Sequence, residues 1–62
     1  MAHSLHYQIG QSIQAIEAEV EKLLNLATAF KESGDIELAR VVSMQAQKLV
    51  EATLGLRIAI AG

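Results

Sequence analysis

An all-α fold is predicted by this sequence: an antiparallel two-helix hairpin that completes a four-helix bundle or a larger helical complex by oligomerising. Three observations predict it. Ile9, Ile13, Ile16, Val20, Leu23, Ala27 and Phe30 follow one another at alternating steps of four and three, and Ala39, Val42, Ala46, Leu49, Thr53, Leu56 and Ile60 continue the rule. Such steps keep side chains on one helix face, so each half carries an apolar seam. Between the halves stands Ser33-Gly34-Asp35, a polar break of turn-forming residues, and no proline interrupts either half. Finally, the chain has only 62 residues and no cysteine, yet 52% of it is hydrophobic. A small core of this kind needs support from disulfides, a metal or other chains, and only the last is well supplied here.

The elements follow in order within one unit spanning residues 1–62. The first helix is expected over about 4–32, with the Ser4 hydroxyl accepting from free first-turn amides and Lys31 at the negative pole of the helix dipole. The turn takes residues 33–35. Gly34 can adopt the left-handed conformation that closes many helices, and Asp35 then caps the second helix, expected over about 36–60. Glu37 suits the start of that helix and Arg57 its far end. Each helix should be roughly 40 Å long at about 1.5 Å per residue, which makes the hairpin a thin rod. The terminal run Leu54-Gly-Leu-Arg-Ile-Ala-Ile-Ala also alternates as a strand does, but a lone strand has no partner here, so helix is preferred.

The seams are unequal. Near the turn the first helix widens its apolar face with Leu24 and Leu26, while the second adds Ile36, Leu38 and Val41. Toward the open end the second helix gains a displaced stripe, Val50, Leu54 and Ile58. One partner helix cannot cover both stripes. Val50, Leu54, Ile58, Leu24, Leu26 and Val41 are therefore the expected partner-binding residues, each stabilising by roughly 1.5–3 kcal/mol when fully buried. Gly10 and Gly55 both fall at the open end, where they either admit another backbone or tolerate fraying.

Composition excludes several function classes. Five Lys plus Arg against seven Asp plus Glu give a net charge of −2, which offers no field for phosphates, and the basic residues are scattered. Tyr7 and Phe30, the sole aromatics, cannot form a base-stacking platform. No apolar run approaches the roughly 20 residues of a membrane helix, and the N-terminus lacks a secretory signal, so a cytoplasmic protein is expected. His3 and His6 could share a face with Tyr7 but lack the third ligand that zinc requires. Glu17, Glu19 and Glu21, with Lys22 close by, read as a solvated face, and Ser33 has no histidine to activate it. No enzyme activity, cofactor or metal is expected, since a two-helix rod offers no concave, desolvated setting for catalytic carboxylates.

Two resemblances add to this reading. Leu26, Ala27, Phe30, Gly34, Asp35, Ala39 and Ala46, within residues 23–50, resemble the small and large positions of a tetratricopeptide-like helix pair. The half from Ser33 to Ala61 is similar to the small hairpin co-chaperones of type III secretion needle subunits, through the Gly34-Asp35 turn, Val41, Leu49, Ala52, Leu56 and Ile58. That second resemblance implies a cytoplasmic protein that, with a larger tetratricopeptide-like partner, shields an aggregation-prone subunit.

The expected function is thus non-enzymatic protein association, as a homodimeric helical bundle or as a small chaperone or adaptor subunit beside a larger helical partner. The alternative is a four-helix-dimer regulator that binds RNA or a nucleic-acid-binding protein.

Overall fold

The computed structural model describes residues 4–61, so His3 lies outside the described residues. Two helices account for nearly all of them: α1, Leu5–Glu32, and α2, Ile36–Ala61. Ser4 is the N-cap of α1, its backbone extended and its Oγ accepting from the Tyr7 amide at 3.1 Å. The terminal run that could alternate as a strand is helix through Ala61.

The turn is a closed hydrogen-bonded unit. Gly34 has φ +94°, the left-handed conformation expected of it. Its N–H donates to the Lys31 carbonyl at 3.1 Å and the Asp35 N–H to the Phe30 carbonyl at 2.9 Å, the paired 5→2 and 6→1 bonds of a Schellman motif. Asp35 then starts α2: its carbonyl accepts from the Ala39 amide at 3.1 Å, and its carboxylate lies 3.4 Å from the Leu38 amide. Three residues thereby end one helix, reverse the chain and begin the next.

The helices pack into a rod with principal extents of 50 × 22 × 10 Å. The buried residues are Ile13, Val20 and Ala27 of α1 and Ala39, Ala46 and Thr53 of α2, every seventh residue of each seam. They flank Ser33 symmetrically, which sets Ala27 level with Ala39, Val20 with Ala46 and Ile13 with Thr53. Side-chain volume grows from the turn toward the open end. Alanines at the turn admit the close approach that a three-residue connection imposes, and the larger residues fill the space beyond it. Thr53 is 2% exposed, and its hydroxyl is satisfied by donating to the Val50 carbonyl at 2.8 Å.

Candidate functional site

A hairpin has two sides flanking its seam, and here they differ in chemistry. Successive helical residues turn about 100°, so each residue's direction relative to the buried row follows from its number. Because the helices are antiparallel, equal rotations away from the buried row lead to the same side of the rod on both. Two observed features fix the sides. The Glu17–Arg57 ion pair joins α1 to α2 on one side, and a groove of about 480 Å³ lined by Leu5, His6, Gln8, Ile9, Ser12 and Ile60 opens on the other.

On the ion-paired side the residues are mixed. Arg57 Nη2 donates to Glu17 Oε1 at 2.7 Å and Arg57 Nε to Glu17 Oε2 at 3.1 Å, a two-point bond across 40 residues of sequence. Arg57 sits about 12 Å nearer the open end than Glu17, at about 1.5 Å per residue. Side chains lean toward their own helix N-terminus, so Glu17 leans to the open end and Arg57 to the turn, and they meet. Both side chains are 42% exposed. The hydrogen bonds from Arg57 hold the Glu17 carboxyl below its usual value; partial desolvation opposes them, and the positive charge of Arg57 adds to the lowering. Nearer the turn this side forms a groove of about 530 Å³ in which Thr28, Lys31, Arg40, Ser43 and Gln47 alternate with Ala27, Ile36, Ala39 and Met44. Arg40 is paired with Glu37 one turn away.

The opposite side is apolar from end to end. Within about 80° of the buried row it presents Ile9, Ile16, Leu23 and Phe30 from α1 and Leu38, Val42, Leu49 and Leu56 from α2, with Ser12 the polar residue among them. Ile9, Ile16, Leu23, Phe30 and Val42 are half-buried by the partner helix, while Leu38, Leu49 and Leu56 remain about two-fifths exposed. Glu19 and Gln45, each about 100° from the buried row, point straight out from this side between its apolar residues. A continuous aliphatic band without charge along a 50 Å rod is the surface of this molecule that water covers least favourably.

The six residues expected to bind a partner are all exposed, but they do not form one surface. Val50, Leu54 and Ile58 rise in exposure from 38% through 53% to 74% as the stripe turns away from α1. Val50, Leu54 and Leu24 lie on the ion-paired side, and Ile58 lies beyond its edge. Leu26 and Val41 lie at the margin of the apolar side. The turn residues Ser33, Gly34 and Asp35 are exposed and occupied with helix capping.

Two expectations are corrected by the ion pair. Glu17 does not belong to a solvated acidic face with Glu19 and Glu21, and Arg57 does not serve the last turn of α2, which contains no basic residue. The signal was present in the heptad register, because both residues immediately flank the seam on the same side. Among the described residues no cluster of three or more His, Cys, Asp or Glu could hold a metal ion, and no helix is long and apolar enough to cross a membrane. Comparison of the chain with known protein families, curated proteins and solved structures found no match.

Proposed function

We propose that this chain is a non-enzymatic protein-association module and that its apolar side is the working surface. One observation carries the proposal: eight aliphatic or aromatic residues, four from each helix, line one side of the rod without a charge among them, while the other side is crossed by the Glu17–Arg57 pair and mixes polar side chains with Leu24, Ile36, Val50 and Leu54. Burying a Leu side chain that is now exposed stabilises by roughly 1.5–3 kcal/mol, so another helical layer over this side is strongly favoured. The similarity of residues 33–61 to hairpin co-chaperones supports an adaptor or chaperone role in which a larger helical protein supplies that layer. Such a role requires the side to be free when the chain is purified alone, and a self-associated bundle requires it to be covered.

The test is a chain carrying Leu23→Lys and Leu49→Lys. It should remain helical by circular dichroism while losing both hydrophobic-dye binding and any higher mass in sedimentation. A parent chain that is a single copy and binds no dye would overturn the proposal.

A further inference from the structure

We infer that the layer over the apolar side is a second copy of this chain, related to the first by a twofold axis along the rod, so that both turns lie at the same end. The inference rests on the association reading above and names the partner of that surface. Area is the first support. The chain exposes 4775 Å², whereas a compact folded chain of 6.7 kDa exposes about 3,900 Å². The excess, about 900 Å², is close to the roughly 800 Å² that each partner contributes to a standard interface.

Polarity at the edge supports the copy and orients it. A twofold contact presses a surface onto its own image, so a charge on it tends to meet a like charge. The band itself carries none. With the axis along the rod, α1 lies on α2 of the second copy, and the outer row Ser12, Glu19 and Leu26 meets Ala52, Gln45 and Leu38, each two residues, about 3 Å, nearer the turn. Leu26 covers Leu38, and the Glu19 carboxylate faces an amide that can donate to it. Neighbouring helices are antiparallel whichever way the copy is turned, so the edge residues and not the dipoles orient it. Turning the copy end for end would instead lay α1 on α1 and set Glu19 beside its own image, where Lys22, its partner at 3.0 Å, must offset both carboxylates.

The absence of cysteine makes the test clean. The full-length chain should sediment at twice its mass at micromolar concentration. The double variant Glu19→Cys with Gln45→Cys should be captured under mild oxidation as a covalent dimer, whereas Glu19→Cys alone should not. Leu49→Glu should lower association at least about 100-fold, and Leu54→Glu, on the ion-paired side, should leave the mass doubled. Should Leu49→Glu fail to fold, the cysteine pair decides alone. A chain of single mass that binds hydrophobic dye, with Leu23→Lys abolishing the binding, overturns the second copy but leaves the association reading standing. Single mass without dye binding overturns both. Capture of Glu19→Cys alone, without the mixed pair, overturns the proposed axis.

Discussion

The two sides of the rod are built from the same two helices and the same number of turns, yet they solve the problem of a small core differently. On one side Glu17 and Arg57 reach across the seam and tie α1 to α2. The groove near the turn continues that side with Lys31, Arg40 and Gln47 beside Ile36 and Met44. On the other side Ile16, Leu23, Leu49 and their neighbours extend the seam outward and stop at solvent. Among the described residues six are buried, and every one lies in the seam. The difference teaches where one chain ties its helices together and where it does not: the ion-paired side is bridged within the chain, and the apolar side is the one on which the proposed second layer lies.

The largest expected effect breaks that asymmetry directly. Leu49 and Leu54 have similar exposures, 40% and 53%, and lie on the same helix. Glutamate at Leu49 should nonetheless dissociate the assembly by at least about 100-fold, because each 1.4 kcal/mol is a factor of ten and burial of one leucine is worth more than that in each copy. Glutamate at Leu54 should leave sedimentation unchanged. Equal responses would show that the two sides do not differ in use. A second substitution acts on the seam that both sides share. Ala46 is 0% exposed, so Ala46→Leu must part the helices, costing roughly 1–3 kcal/mol in chemical denaturation. Its effect should exceed that of Val50→Leu, one turn away and exposed toward solvent.

The legibility of this molecule in its sequence follows from which interactions are periodic. Both helices, the turn and the left-handed Gly34 are written in local rules: steps of three and four, a capping hydroxyl, a glycine where α1 must end. Periodicity also named the seam, since all six buried residues belong to the two stripes read from the heptads. It did not rank the flanks. Val50, Leu54 and Ile58 looked like a second stripe because they repeat every fourth residue, but a four-residue step drifts around a helix, and by Ile58 the side chain is 74% exposed. Val42, Leu49 and Leu56 keep the seven-residue rhythm and stay on one side. The ion pair was hidden for a different reason, since its partners are 40 residues apart and meet only once the hairpin register is known.

A smaller effect bears on the open end. An added Cβ at Gly10 or Gly55 would meet nothing within 4 Å in the single chain. Gly10 lies on the ion-paired side and Gly55 on the outer back of α2, both away from the proposed second layer. Gly10→Ala and Gly55→Ala should therefore each stabilise the chain by about 0.5–1 kcal/mol in thermal or chemical unfolding, without changing its mass. Destabilisation at Gly55 would place a close backbone neighbour on the back of α2 and shift the association surface away from the band.

The smallest effect belongs to the ion pair and is read through pH. Glu17 holds its proton less tightly in the folded chain than in the unfolded one, because the Arg57 guanidinium binds the carboxylate form. Its contribution to stability is therefore complete above the ordinary glutamate range, near about pH 4.3, and is lost as the pH falls through the lowered value of the folded state. Arg57 stays charged throughout that window, so the loss belongs to Glu17. Glu17→Gln keeps the shape of the side chain but cannot take up the proton. The variant should unfold at a slightly lower temperature than the parent near neutral pH, and the gap should close on acidification. Both side chains face solvent over two-fifths of their surface, so screening keeps the gap small and added salt should narrow it. A gap that widened toward low pH would mean that the carboxylate is not what Arg57 holds. The ion-paired side of the rod would then lack its bridge.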